Sequence, residues 1–289
     1  MLSLPINWLH YSCLVFTIPI WAGIRYMLSG CLRYVASRTP WASAHPVAKG
    51  KVAESGFYLI QYTLLYWFSH ALIKERGIQP YHFEAFFSDY PLRLSFSANV
   101  HKFFICQLTV YSVSLLFLFS ETRKNNKDFT VMLAHHVIAC TLIVAGYSFR
   151  HYNFGLILAN LHDVSDIFLE ASKIINLTIG EPWSLVTFVL FALTFFIARI
   201  VVYPTYLIIP PIAGKCDFLV EKRLGAGQNC GETKLHRWGF YGVLTSLYVI
   251  DVYWMVMIIR MIAGIFRLEV RGDVRDDQEN TIRRIEKDK

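Results

Sequence analysis

The chain has 289 residues, of which 55% are hydrophobic and 16% aromatic, whereas only 17% are charged. A soluble domain usually carries about a quarter charged residues, so this composition excludes an ordinary water-soluble domain and indicates a membrane protein. The formal net charge of +7 does not indicate nucleic-acid binding, because Lys and Arg lie in short connectors between apolar runs and near the C-terminus, which is the pattern of topology signals beside membrane spans.

Apolar runs long enough to cross a hydrocarbon core of about 30 Å recur along nearly the whole chain. They predict an all-α fold, a polytopic transmembrane helical bundle of about seven spans. The predicted spans are residues 7–28, 53–73, 100–119, 130–148, 153–175, 183–208 and 239–263. We interpret the first run as a span and not as a signal peptide, because His10, Pro19 and Arg25 interrupt it and no small-residue cleavage site follows.

Positive charges outside the spans predict the orientation of the chain. Clusters of Lys and Arg occupy the first connector, the third connector and the C-terminal tail. These three segments fall on one side of a seven-span bundle. The positive-inside rule makes that side cytosolic, so we expect a lumenal N-terminus and a cytosolic C-terminus. The tail at 266–289 is charged and has little apolar content, so it is expected to be flexible.

Two connectors have features of their own. The connector at 209–238 would be lumenal, and its Cys216 and Cys230 could form a disulfide in that oxidising compartment. The segment 80–97 is aromatic but interrupted by charged residues and proline, so we expect it to lie along the membrane interface rather than to span the bilayer.

Ionisable side chains concentrate in the fourth and fifth predicted spans. Each costs about 2.5–3.5 kcal/mol to insert at membrane depth, so it is a functional hypothesis by default. The fourth span begins with His135 and His136, and the fifth holds His162, Asp163, Asp166, Glu170 and Lys173. The last four step by three, four and three positions, which places them on one helical face that must point into the bundle. The two spans share a short connector, so they are expected to be antiparallel neighbours whose charged groups meet at similar depth.

Helix packing and metal binding are the competing interpretations of these residues. A lone intramembrane histidine such as His10 or His70 is most often a hydrogen-bonding residue between helices, but two histidines facing two carboxylates exceed what packing requires. Histidine and carboxylate are also ordinary metal ligands. Adjacent histidines diverge by about 100° around a helix and seldom reach one ion, and the H-x-x-H-H boxes of membrane di-iron oxygenases are absent from the sequence. We therefore predict no metal site.

The stretch 127–176 reads KDFTVMLAHHVIACTLIVAGYSFRHYNFGLILANLHDVSDIFLEASKIIN. In order and spacing, its D-F, H-H, H-D-x-x-D, Glu and Lys elements resemble the longevity-assurance motif of ceramide synthases, within the wider TLC-domain family. Flanking matches are Lys51, Glu54 and Ser55, the Arg199, Tyr203 and Pro204 run, and Tyr253 with Trp254. The resemblance covers roughly residues 50–265. It departs at Asp251, where many family members have a histidine.

The resemblance implies acyl-CoA-dependent N-acylation of a sphingoid base in the endoplasmic reticulum membrane, giving a ceramide or dihydroceramide. It implies no cofactor besides acyl-CoA as co-substrate. The expected partners are acyl-CoA, a sphingoid base, membrane lipids, and another copy of the chain or an accessory membrane subunit, but no nucleic acid. The chain divides accordingly into an N-terminal span with its cytosolic connector (1–50), a TLC-type catalytic bundle (51–265) and the cytosolic tail (266–289).

The polar residues supply the chemistry that such a reaction requires. A long-chain amine is protonated near neutral pH and needs a base before it attacks a thioester, and histidine titrates in that range. We expect His135 or His136 to be the base or nucleophile, with an acyl-enzyme on His135 as a variant, and Asp163 and Asp166 to orient an imidazole or bind the ammonium group. The resemblance adds substrate-binding roles for His162, Glu170, Lys173, Arg199, Asp251, Tyr253 and Trp254.

Other interpretations remain open at this point. A non-enzymatic lipid sensor or transporter of the same family would need the fold but not the histidine pair with the H-D-x-x-D block. A different acyltransferase could use another lipid amine or alcohol. Arg123, Lys124 and Lys127, beside the expected cytosolic mouth, could attract the phosphates of CoA or serve only as topology signals.

Overall fold

A computed structural model describes residues 12–38, 46–79, 82–86, 97–120, 127–149, 151–213 and 231–266. Within these ranges the chain is helical and forms no β-strand, which confirms the predicted all-α fold. The helices are α1 (Leu14–Ser37), α2 (Pro46–Glu75), α3 (Phe83–Phe86), α4 (Ala98–Phe117), α5 (Phe129–Ser148), α6 (Tyr152–Thr178), α7 (Trp183–Phe195) and α8 (Gly231–Phe266). Helix α7 continues through the π-helical segments Phe196–Val202 and Pro204–Ile208 into the turn Ile209–Ile212.

Five helices in the described part of the chain are long and apolar enough to cross a membrane. They are Leu14–Ser37, Ala98–Phe117, Phe129–Ser148, Trp183–Ile212 and, within α8, Trp238–Ile265. Helices α2 and α6 are also long, but their apolar character is interrupted by the polar and ionisable residues that they carry into the bundle. Each predicted span coincides with one of these helices, and the chain is a multi-pass membrane protein.

Helix α1 ends further along the chain than the sequence predicted. The predicted span 7–28 ends shortly after Arg25, whereas the helix continues to Ser37. Arg25 is accommodated inside the bundle, because its guanidinium donates to Tyr58 at 2.6 Å and to Ser114 at 3.2 Å and lies over three aromatic rings, including Phe57 at 4.7 Å from the ring centroid. A buried cation with these contacts does not end a membrane helix.

Helix α6 is central to the part of the bundle that holds the polar residues. It packs most extensively against α2 and α7 and also contacts α5, while α5 packs against α4 and α8. The apolar core between these helices includes Phe103, Phe154, Leu156, Leu207 and Leu244. Helices in a membrane associate by close packing and by hydrogen bonds between polar side chains, so the polar face of α6 both stabilises the bundle and defines its interior.

Several predictions concern residues outside the described ranges. These residues are Cys216 and Cys230, Arg123 and Lys124, and the tail from 267 to 289. The disulfide, the CoA-phosphate contacts of those two residues and the flexible tail therefore stay predictions. The described part of the predicted interfacial segment contains only the short helix α3 and its flanks.

Candidate active site

Arg199 connects three helices through a buried network. Its guanidinium donates from Nε to Ser165 at 2.7 Å and from Nη2 to the carbonyl oxygen of His162 at 2.9 Å. It also pairs with Asp166 of α6 at 2.5 Å and with Asp251 of α8 at 3.3 Å. Only 2% of Arg199 is exposed. Two carboxylates and two further acceptors thus hold a buried cation, which ties α6, α7 and α8 together.

The R-x-x-x-Y-P run lies where α7 changes from α-helical to π-helical geometry. Arg199 belongs to the first π-helical segment, and Pro204 begins the second. Proline has no backbone N–H to donate, and π-helical turns are frequent at functional sites. Tyr203 between them is fully buried and donates its hydroxyl to the carbonyl of Leu244 at 2.8 Å. The run therefore joins α7 to both α6 and α8.

His162 extends the network toward the bundle interior. Its Nδ1 lies 2.9 Å from the carbonyl oxygen of Leu158, and its Nε2 lies 3.2 Å from Oδ2 of Asp251. A carbonyl oxygen can only accept, so the tautomer that donates from Nδ1 fits the contact with Leu158, while Nε2 faces the carboxyl group of Asp251. Asp251 thus contacts both Arg199 and His162, which links the two residues through α8.

The two adjacent histidines of α5 point in different directions. His136 is 8% exposed and its Nδ1 lies 2.8 Å from the carbonyl oxygen of Met132. His135 is partly buried, its ring is nearly perpendicular to that of His136 at 5.7 Å between centroids, and it packs against Trp254 at 5.0 Å. Within the described chain, Nδ1 of His135 has no hydrogen-bond partner. Of the two histidines, His135 is therefore the one whose Nδ1 is available to bind a ligand.

Asp163 is a fully buried carboxyl group without a hydrogen-bond partner for either oxygen among the described residues. The side-chain amide of Gln107 on α4 faces it, and Nε2 of Gln107 is likewise buried without a partner at hydrogen-bonding distance. No hydrogen bond in the described ranges joins Asp163 or Asp166 to His135. Asp166 instead pairs with Arg199, so the structure does not bring the predicted imidazole and its orienting carboxylates into direct contact.

A cavity that is partly open to the outside lies between α4, α5, α6 and α8. Its polar lining is Gln107, Tyr111, His135 and His162. The remaining lining is apolar and consists of Phe103, Phe104, Ala139, Leu142, Ile143, Gly146, Phe154, Gly155, Leu158, Ala159, Phe240 and Leu247. The polar residues come last among the lining residues of α4 and α6 and first among those of α5, so the cavity has one polar end and an apolar remainder.

Trp254 connects the polar end of the cavity to the start of α5. Its indole Nε1 donates to Oδ2 of Asp128 at 3.0 Å, and its ring packs edge-on against His135. Asp128 is fully buried and directly precedes the first residue of α5. Asp128 of the D-F element and Trp254 of the Y-W element are thus in contact beside His135. Tyr253, by contrast, is 40% exposed and is not part of the cavity lining.

The remaining predicted site residues lie away from the cavity. Lys173 Nζ lies 3.0 Å from Oε1 of the buried Glu170, one turn along α6, so the charged face of α6 points into the bundle as its spacing predicts. Lys127 is exposed at the start of α5. Among the residues that the structure describes, no group of three His, Cys, Asp or Glu side chains is arranged to hold a metal ion.

The sequence analysis missed two cavity residues. Gln107 and Tyr111 both lie on α4, and a single Gln or Tyr in an apolar span belongs to no motif. Their spacing of four positions is the only signal that could have identified them, because it places both on one face of the helix. Tyr111 also packs near His136, at 6.3 Å between ring centroids.

Comparison with known proteins identifies the family of the chain. The family model of the TLC domain matches residues 51–260. Ceramide synthase LOH2 of Arabidopsis thaliana is 32% identical over 186 residues, covering 63% of this chain and 60% of the relative. Ceramide synthase 1 LOH3 of the same plant is 31% identical over 180 residues, covering 61% and 55%. Ceramide synthase 5 of Homo sapiens is 25% identical over 194 residues, covering 67% and 46%. The matches thus span about half of each relative's length.

Proposed function

The chain belongs to the TLC-domain family, and we propose that it transfers a fatty acyl group from acyl-CoA to the amine of a sphingoid base, giving a ceramide or dihydroceramide. The observation that carries this proposal is the position of His135 at the polar end of an otherwise apolar cavity. An acyl thioester has this polarity, with one reactive polar end and a long apolar chain. The names of the similar proteins support the same reaction.

The cavity is suited to hold the acyl chain among the helices. Its lining is almost entirely apolar, with a few polar side chains at one end, which is the usual composition of a site for a hydrophobic ligand. Burial of an alkyl chain against aromatic and aliphatic side chains holds the thioester carbonyl beside His135 and excludes water from the reaction. The CoA portion is too polar to enter the hydrocarbon region, so it stays outside the bundle.

His135 acts as the base in this proposal. It takes a proton from the ammonium group of the sphingoid base, and the amine nitrogen then attacks the thioester carbonyl carbon. The new C–N bond forms as the C–S bond breaks. The sulfur of CoA leaves as a thiol with the proton held by His135, and the second amine proton is released to solvent. An acyl-enzyme on His135 would divide the same transfer into two steps.

Asp163 attracts the amine in this proposal. Its buried carboxyl group lies behind Gln107, which lines the cavity, and it has no hydrogen-bond partner among the described residues. An ammonium group beside Gln107 would supply the positive partner that this buried carboxyl group lacks, and the pair would favour the charged forms of both groups. Asp166 and Asp251 are not available for this role, because Arg199 binds both of them.

The proposed cellular setting follows the charge distribution and the family. We place the chain in the endoplasmic reticulum membrane with a lumenal N-terminus and a cytosolic C-terminus, because the clustered basic residues of the connectors and tail then face the cytosol. Acyl-CoA would reach the polar end of the cavity from that side. Glycosylation sites introduced at each end of the chain test the orientation, since only a lumenal site is modified.

A reconstituted assay tests the reaction itself. Purified chain in lipid nanodiscs is incubated with palmitoyl-CoA and sphinganine, and dihydroceramide is measured by mass spectrometry. Amide formation that depends on both substrates and on His135 is expected. Binding of either lipid without amide formation would favour the sensor or transporter, and ester formation with a lipid alcohol would favour a different acyltransferase.

A further inference from the structure

Three aromatic rings line the apolar end of the cavity. Phe104, Phe154 and Phe240 line it, and all three are nearly or fully buried. Phe154 and Phe240 lie 5.6 Å apart between ring centroids. Behind them, Tyr147 packs against Phe104 at 5.8 Å and His151 stacks on Phe240 at 4.7 Å. We call Phe104, Phe154 and Phe240 the aromatic floor.

Phe104 is held in the floor by a close approach that only glycine allows. A Cβ atom added to Gly155 of α6 would lie 2.6 Å from Cζ and 3.0 Å from Cε1 of Phe104. Real side chains do not approach so closely, so alanine at 155 would displace the ring. Gly146 of α5 faces the same ring, with room for a Cβ at 3.7 Å. The ring of Phe104 therefore lies between α5 and α6, against Gly146 and Gly155.

The distance from His135 to this floor has the scale of a fatty acyl chain. His135 and Gly146 are eleven positions apart on α5, which at about 1.5 Å per residue is roughly 16 Å. An extended residue spans about 3.5 Å over three backbone bonds, so a fully extended chain advances about 1.2 Å per bond. The rise along α5 between these two positions thus equals the length of roughly 14 bonds of an extended chain.

We propose that Phe104, held against Gly155, determines acyl-chain specificity by setting the depth of the cavity. The inference rests on the proposed acyl transfer and adds the substrate class, which is a long-chain acyl group such as palmitoyl and not a very-long-chain group such as lignoceroyl. A chain that is too long meets the floor before its thioester reaches His135. Removal of the ring deepens the cavity and admits the longer chain.

Two measurements on wild type and variants test this inference. The first is kcat/KM for sphinganine acylation with palmitoyl-CoA and lignoceroyl-CoA, and the second is equilibrium binding of the same two thioesters, which needs no turnover. Phe104→Ala is expected to raise the lignoceroyl-to-palmitoyl ratio about tenfold in both measurements, a scale typical of discrimination in apolar pockets. Phe104→Leu, a milder change, is expected to shift the ratio in the same direction. Phe191→Ala is the matched control, because Phe191 is buried in the separate cluster between α7 and α8 and its loss should leave the ratio unchanged.

Gly155→Ala provides an independent test through the same contact. In the wild-type background it should displace the ring of Phe104 and change the chain-length ratio, whereas in the Phe104→Ala background it should have little effect, because the clashing ring is absent. Unchanged ratios in folded Phe104→Ala and Phe104→Leu proteins would overturn the inference. If no ceramide forms with any chain length, the proposed function fails, and a shift in the binding ratio still supports the floor. If ceramide forms but neither ratio shifts, only the floor is wrong.

Discussion

Trp254 donates its indole N–H to the carboxylate of Asp128 at 3.0 Å. The two residues are far apart in the chain, and their contact fixes the last helix against the start of α5. The same indole ring lies edge-on against His135. Trp254 therefore holds His135 from one side, while the cavity lies on another.

Replacement of Trp254 by Phe should weaken the contacts that position His135 but keep an aromatic ring beside it. Phe retains an aromatic edge for His135 but loses the N–H that Asp128 accepts, so the imidazole is held less firmly. We expect kcat to fall about tenfold, which corresponds to about 1.4 kcal/mol of transition-state stabilisation, with little change in either KM. Steady-state kinetics with both substrates measures the effect. Trp238→Phe is the control, because Trp238 is exposed on the same helix. A rise in KM at unchanged kcat would show that Trp254 binds substrate and does not position His135.

Replacement of the Asp163 carboxyl group by an amide should affect the amine substrate selectively. Asp163→Asn preserves the shape of the side chain, so the cavity keeps its lining, but the proposed attraction for the ammonium group is lost. We expect the KM for sphinganine to rise about tenfold, whereas the KM for palmitoyl-CoA stays within about twofold. Glu75→Gln is the control, because Glu75 is exposed at the end of α2. Equal rises in both KM values would contradict a specific role toward the amine.

The network around Arg199 should be required for stability more than for chemistry. Arg199→Ala leaves Asp166 and Asp251 buried without their cation, and removal of one partner from a buried ion pair typically costs about 3–5 kcal/mol. The variant is expected to unfold at a clearly lower temperature in detergent, as followed by intrinsic fluorescence. Arg33→Ala, at an exposed position of α1, should melt like wild type. The triple variant Arg199→Met, Asp166→Asn, Asp251→Asn should recover part of the loss, because it removes the unpaired charges. A triple variant less stable than Arg199→Ala alone would contradict this explanation.

Apolar runs and helical spacing were sufficient to predict the helices and the face of α6 that carries Asp163, Asp166, Glu170 and Lys173. The end of α1 was less predictable, since a charged residue in an apolar run is often taken as the boundary of a span. Only the tertiary contacts of Arg25 with Tyr58 and Ser114 show that the helix can pass through it.

The candidate site was predictable where its residues form local patterns. His135 and His162 were identified from α5 and α6, and both line one cavity. The partners of Asp166 and Asp251 were not predictable, because Arg199 lies on a third helix and no local spacing connects it to them. Gln107 and Tyr111 were missed for a related reason, since which face of α4 meets the cavity is decided by helix packing and not by the sequence of α4 alone.

Dihydroceramide formation by His135→Ala tests the central claim most directly. His70→Ala is the matched control, because His70 also lies on a long helix but packs against Tyr66 and Trp67 and does not line the cavity. In nanodiscs with palmitoyl-CoA and sphinganine, wild type and His70→Ala should form the amide at similar rates. His135→Ala should be slower by about a thousandfold, within the range for loss of a general base, while it melts at the wild-type temperature. Amide formation by a folded His135→Ala protein at close to the wild-type rate would contradict the account.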